Sequence, residues 1–255
     1  MEHNALFILM GECFREGMPT SRLRDTIYGF NNQKEASESH LKLIKKLNTM
    51  NYKVDIAINT YITKYDKELL SFYDNMIIFS NFTNENYNHF QNAVNHSIIK
   101  VVNNVDISKY DFIFICRLDL LLKDKLIDIF DPSVKTITYP NIMGLRMVDS
   151  VCQIIPAISE VFVIIPKKYF YSFDKWEGIL KNSNIMLTAN SGSDLILAGL
   201  SLNDIDFMSD RLYIGNTFQS FNPLYKINCR EEHSVEREDV KGLIYNKELN
   251  IVIKE

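Results

Sequence analysis

Asp111-Phe-Ile-Phe-Ile-Cys-Arg117-Leu-Asp119-Leu120 is apolar on nearly every residue between its first aspartate and Arg117. A short apolar run with no helical period predicts a strand buried on both faces. Such strands belong to parallel sheets covered by helices on both sides. The run breaks directly into Arg-x-Asp. Alternate side chains of an extended segment share a face, so Arg117 and Asp119 point together and Leu118 points away. A cation and a carboxylate so placed have two readings. They hold a diphosphate, directly and through a divalent metal, or they form an ion pair that closes the strand end. An oxygen ligand of this kind suits Mg2+ or Mn2+.

Outward from this strand, short apolar runs alternate with helical patterns. Residues 5–10, 54–59 and 76–80 read as strands, and 66–73 as a short helix. Residues 33–48 read as a helix with Leu41, Ile44 and Leu47 on one face, and Asn32 with Glu35 resembles a capping box. Residues 84–103 carry Tyr87, Phe90, Val94, Ile98 and Val101 at spacings of three and four, an amphipathic helix. The alternation predicts right-handed βαβ units, hence an α/β fold with an open, mostly parallel, doubly wound sheet. In the second half, 135–139 and 160–166 read as strands, 173–181 and 193–202 as helices, and 205–209 and 212–214 as short extended pieces. Residues 140–156 read mainly as a long surface excursion, a feature that is usually functional. A charged tail starts at Asn228 and ends in the apolar stretch 249–253.

Proline and glycine are too sparse to mark a linker in these 255 residues, so a single domain spanning 1–255 is expected. The chain has 46% hydrophobic and 24% charged residues, ordinary globular values. Its 32 acidic against 28 basic residues give a net charge of −4, which argues against a general nucleic-acid binder. Cys13, Cys116, Cys152 and Cys229 form no Cys-x-x-Cys, and they read as reduced thiols in a cytosol-like compartment. No apolar stretch is long enough for a membrane span. The first apolar run lacks a basic flank and reads as a strand, not an export signal, so a cytoplasmic location is expected. His3, His89, His96 and His233 show no metal-ligand spacing.

In an open parallel sheet, ligands bind beyond the carboxyl ends of the strands. That directs attention to 11–24, 59–61, 80–84 and 117–119, all expected at one sheet edge. Gly11, Gly17, Arg15, Arg22 and Arg24 follow the first strand and read as a phosphate wrap or as solvated surface. They match neither a P-loop nor Gly-x-Gly-x-x-Gly. Gln33, Ser37 and His40 lie near the start of the first long helix and read as ligand contacts or as capping and surface polarity. Thr60 and Tyr61 follow the second strand, where Tyr61 reads as a base-stacking ring or a packed tyrosine. Asp194 follows Ser191-Gly-Ser at a predicted helix start, where compensation of the helix dipole is the other reading.

Several of these pieces carry a resemblance. Arg117-Leu118-Asp119 resembles the Asp-x-Asp motif of GT-A glycosyltransferases, with Arg in place of the first Asp. A wider pattern is similar to small glycosyltransferase-like proteins of large DNA viruses and bacterial surface-glycan clusters. It comprises Gly11-Glu-Cys-Phe-Arg15-Glu-Gly17, Ser21-Arg22, Gln33-Lys-Glu-Ala-Ser37 with Ser39-His40, Val54-Asp55, Arg117-Leu-Asp119, Asn216-Thr217 and Asn222-Pro223-x-Tyr225, and spans roughly residues 5–227. The resemblance implies a nucleotide-sugar-binding half at 1–120, an acceptor half at 121–227 and a tail at 228–255. It implies an enzyme that moves a sugar from a nucleotide-diphosphate donor, a UDP-sugar first, to a glycan hydroxyl with inversion. Gly11, Arg15, Arg22, Arg24, Gln33, Ser37, Thr60, Tyr61, Arg117 and Asp119 would bind the donor, Asp119 through Mn2+ or Mg2+. Asp194 would be the general base, with Asp149 and Glu160 as rivals. If the chain is viral, its location would be the host cytoplasm. The alternatives are a sugar-phosphate nucleotidyltransferase, whose Gly-x-Gly-x-Arg start is missing, or another Rossmann-like enzyme, and a non-catalytic nucleotide- or glycan-binding module.

Overall fold

The apolar run at 111–117 is a strand, and each of its residues from Phe112 to Arg117 is buried. The computed structural model describes residues 3–17, 23–84, 90–140, 142–148, 153–158, 162–173, 204–208, 224–227, 243–246 and 251–254. In chain order the first half holds β1 (His3–Gly11), β2 (Arg15–Glu16), β3 (Leu23–Arg24), α1 (Ile27–Thr49), β4 (Tyr52–Tyr61), α2 (Asp66–Tyr73), β5 (Ile77–Thr83), α3 (Phe90–Val102) and β6 (Phe112–Arg117). Next come β7 (Leu120–Leu122), α4 (Asp124–Ile129), β8 (Ile137–Tyr139), β9 (Ile142–Val148), β10 (Gln153–Ile158) and β11 (Phe162–Pro166). The remaining strands are β12 (Ile205–Phe207), β13 (Tyr225–Ile227), β14 (Leu243–Asn246) and β15 (Ile251–Lys254).

The main sheet is seven-stranded, in the order β12-β8-β11-β6-β1-β4-β5. β1 runs parallel to β4 and β6, β4 to β5, and β12 to β8. β11 runs antiparallel to both β6 and β8 and is the reversed strand. This is the expected open, mostly parallel α/β sheet.

The pleat of β1 divides the core. Ala5, Phe7 and Leu9 join Leu43, Ile44 and Leu47 of α1 on one face. Leu6, Ile8 and Met10 join Ile98 and Val101 of α3 on the other. Both faces are therefore covered, which is why β1 and β6 have no polar face to show. Phe114 anchors the first layer, with ring centroids 4.7 Å from Phe7, 5.4 Å from Phe162 and 5.6 Å from Phe130.

Two expectations are corrected, and further elements appear that carried no expectation. α1 begins at Ile27, not at 33, and its cap is Thr26, whose Oγ1 accepts from Gly29 N at 2.9 Å. The apolar stripe does not extend that far back, since Ile27 and Tyr28 are exposed; packing of Gly29 on the preceding loop sets the first turn. Residues 140–156 are not simply a loop: β9 and β10 pair there as an antiparallel hairpin. The charged tail contains a second hairpin, β14 with β15. The short helix α4 and the pairing of β7 with β13 had no clear periodic signal. Predicted helices at 193–202 and beyond residue 173, and the extended piece at 212–214, lie outside the described residues. Among the described residues no helix is long and apolar enough to cross a membrane.

Candidate functional site

Strand register brings the predicted segments to one edge. Met10 stands opposite Arg117 on β6 and Asn59 on β4, and Asn59 stands opposite Asn81 on β5. One step further, Gly11 faces Thr60, and Tyr61 faces Thr83. The sheet order reverses at β1, with β4 and β5 to one side and β6 to the other. The carboxyl ends of these strands therefore flank a topological switch point, where open α/β sheets bind ligands.

A chain of ion pairs occupies that edge. Arg117 grips Asp119 with a two-pronged fork, Nε donating to Oδ1 at 2.8 Å and Nη2 to Oδ2 at 2.7 Å. Arg15 reaches the same Oδ2, its Nε donating at 3.0 Å and its Nη2 lying 2.8 Å away. Arg15 Nη1 donates to Glu12 Oε2 at 2.6 Å, and Arg24 Nη2 donates to Glu12 Oε1 at 2.6 Å. The Arg24 guanidinium carbon lies 5.1 Å from the centroid of the Tyr61 ring. Arg15, Arg117 and Asp119 are all buried, whereas the Arg24 side chain is 45% exposed. Of the two readings of Arg117-x-Asp119, the ion pair is thus present. It is one link of a longer series that joins Arg15, Arg24, Tyr61, Arg117 and Asp119. Glu12 was not anticipated; its spacing of three before Arg15 was the available signal.

The backbone explains why two arginines stand side by side. Gly11 has φ +94°, a left-handed turn out of β1 that a side chain rarely adopts. β2 and β3 pair so that Arg15 stands opposite Arg24, and Glu12 bridges the two like charges. Phe14 has φ 50° and is held by Phe30, Tyr65 and Phe72, with ring centroids 5.7, 5.1 and 6.5 Å away. Its carbonyl accepts from Asp25 N at 3.0 Å, and a Cβ placed on Gly29 would meet that oxygen at 2.6 Å. The start of α1 therefore rests directly on the loop that carries Arg15.

Beneath the site, α1 turns a buried polar face toward the segment after β6. Gln33 Nε2 donates to Leu118 O at 2.8 Å, and Leu122 N donates to Ser39 Oγ at 2.9 Å. His40 Nε2 lies 2.8 Å from Leu120 O, and His40 Nδ1 lies 2.9 Å from Tyr73 Oη. A carbonyl only accepts, so Nε2 carries the proton and Nδ1 receives the Tyr73 hydroxyl. Burial holds the imidazole neutral, with its pKa lowered to about 4. Ser37 Oγ joins the same series, 3.1 Å from Tyr73 Oη and 3.3 Å from Gln33 Nε2. Gln33 and Ser37 are accordingly not surface polarity. They are buried, and these bonds fix the strand end behind Asp119.

Thr60 plays a similar part on the other side. Its hydroxyl donates to Gly11 O at 2.7 Å, so Cys13 Sγ, 3.2 Å away, donates to Thr60. Burial pushes the Cys13 thiol up to about 12, which keeps it protonated and unreactive. Cys13 and Cys116 are free and buried. Arg22, Asp149, Glu160 and Asp194 lie outside the described residues.

The side chains were tested for a divalent cation. Both Asp119 oxygens accept from guanidinium groups, and no cluster of three or more His, Cys, Asp or Glu suits a metal among the described residues. As arranged, this donor set does not fit Mn2+ or Mg2+.

No protein-family model matches this chain, and no curated protein matches it. Solved structures similar to it include glycosyltransferases. One is the apo form of GlyE from Streptococcus pneumoniae, at 10% identity and a TM-score of 0.42, covering 83% of this chain and 46% of that one. This chain thus spans about half the length of GlyE. Another is a Drosophila β1,4-galactosyltransferase 7 mutant in complex with manganese, UDP-Gal and xylobiose, at 12% identity and a TM-score of 0.39, covering 88% of this chain and 70% of that one. A third is a glycosyltransferase involved in glycosylation of the major capsid of PBCV-1, at 8% identity and a TM-score of 0.41, covering 89% of this chain and 95% of that one. These likenesses are distant.

Proposed function

We propose that this chain is a glycosyltransferase that takes a sugar from a nucleotide-diphosphate donor and passes it to a glycan hydroxyl. The observation that supports this reading is the Arg117–Asp119–Arg15–Glu12–Arg24 series at the switch point, ending over Tyr61. Guanidinium forks match phosphate oxygens as well as they match carboxylates. In this reading Arg117 and Arg15 receive the diphosphate, and Arg24 with Tyr61 receives the nucleoside end. Arg22 completes the wrap around the donor. The arginines stabilise the charge that develops on the leaving diphosphate. No step is assigned to Mn2+ or Mg2+. A carboxylate of the second half takes the proton from the acceptor hydroxyl, and the sugar inverts. Asp194 is assigned this task, ahead of Asp149 and Glu160.

Calorimetric titration with UDP, and with other common nucleoside diphosphates beside it, tests the donor site. UDP is expected to bind, and Arg117→Ala is expected to weaken it at least tenfold. Absence of binding by every nucleoside diphosphate, with and without Mn2+, removes the reading. For the base, Asp194→Asn is expected to keep donor binding and cut transfer by about a hundredfold or more, the usual general-base contribution. Normal turnover in Asp194→Asn, with Asp149→Asn or Glu160→Gln dead, reassigns the base. Turnover retained in all three argues for retention of configuration.

A further inference from the structure

Resting on the donor-site reading above, we infer that the diphosphate is bound without a divalent cation, and that Asp119 is the resident counter-ion which the diphosphate displaces from Arg117 and Arg15. Among the described residues, two guanidinium groups hold Asp119. Oδ1 accepts from Arg117 Nε, and Oδ2 accepts from Arg117 Nη2 and Arg15 Nε, all within 3.0 Å. Glu12 is placed in the same way, between Arg15 and Arg24 at 2.6 Å each. A cation that reached Asp119 would have to break charge-assisted bonds and then sit beside two fixed positive charges. An anion meets the opposite field, because the five linked groups carry three positive charges and two negative ones. The exchange requires the Asp119 side chain to move off the fork; the planar fork that grips two carboxylate oxygens then grips two phosphate oxygens in the same way. No covalent bond changes; one ionic partner replaces another. Arg24, at the end of the series, is its exposed guanidinium among the described residues.

This inference and the metal-ligand role of Asp119 predict opposite signs for one substitution. UDP binding is measured by calorimetry in EDTA and in millimolar Mn2+, for the intact chain and for Asp119→Asn. The expected results are UDP affinity within twofold between the two buffers, and Asp119→Asn binding UDP at least threefold tighter in EDTA, since its arginines lose their competing charge. Binding of UDP only with Mn2+, or weaker binding by Asp119→Asn, overturns the inference and leaves the donor site standing. No binding of any nucleoside diphosphate in either buffer overturns the donor-site reading itself. Should Asp119→Asn fail to fold, electron paramagnetic resonance of Mn2+ with the unsubstituted chain and UDP decides. The free-ion signal is expected to match a protein-free control with UDP, and its loss on adding protein overturns the inference.

Discussion

Asp119 and Arg15 meet 104 residues apart in sequence, and each is almost wholly buried. A buried charge keeps its ionised form only when it is paired, and loss of one partner typically costs about 3–5 kcal/mol. Arg15→Ala strips a partner from both Asp119 and Glu12. Its free energy of unfolding in urea is expected to fall by about that amount, whereas the half-exposed Arg24→Ala should cost at most about 1 kcal/mol. UDP affinity should fall in both, which separates stability from binding. His40 sets a pH dependence. Its folded pKa of about 4 lies below the ordinary 6.5, so the unfolded chain binds the proton first as pH falls. Stability from this residue is intact above pH 6.5 and is lost as pH falls toward 4, about 2 kcal/mol of it by pH 5. Urea unfolding at pH 7 and pH 5 should show that loss, and His40→Gln should be less stable at pH 7 yet flatter across the interval.

At the scale of elements, α1 links packing to the site. Its apolar stripe seats it on β1 and β4, and its polar face holds the backbone at Leu118, Leu120 and Leu122. Helix propensity alone predicts that Gly29→Ala stabilises by about 1 kcal/mol. The contact with Phe14 O reverses the sign, because backbone cannot yield as a side chain does. A loss of about 1–3 kcal/mol is expected, the usual cost of overpacking. UDP affinity should drop with it, since Arg15 follows Phe14. Thr26→Ala, which removes only the cap, should cost about 1 kcal/mol. Chemical denaturation and UDP titration of the two variants check both statements.

For the whole molecule, the proposed donor edge is assembled from β1, β4, β5 and β6, so a ligand there would tie together chain segments that span the first half. A ligand that binds only the folded state at a hundred times its Kd adds about 2.7 kcal/mol. For a chain of this size that corresponds to a rise in melting temperature of about 5–10 °C. Scanning calorimetry with and without UDP should show the shift, and Arg117→Ala should abolish most of it at the same concentration.

Much of this was legible before any coordinates. Apolar runs and the 3.6-residue stripe are local patterns, and burial on both faces leaves no polar residue to disguise a strand. The parallel strands, the helices of the first half and the shared edge of Gly11, Thr60, Tyr61 and Arg117 therefore followed from spacing. Arg117 and Asp119 do meet, but β6 ends at Arg117 and the turn at 118–119, not an extended alternation, brings them together. β9, β10 and α4 carried no clear period of their own. The α1 start was hidden, because contact with the loop at Phe14, not any local period, sets it. The partners of the charges were hidden for the same reason. Whether Asp119 faces a cation or two arginines depends on which loop folds beside β6, and that follows from the strand order and the left-handed turn at Gly11. Composition and spacing chose the residue types at the site; long-range packing chose which charge each one meets.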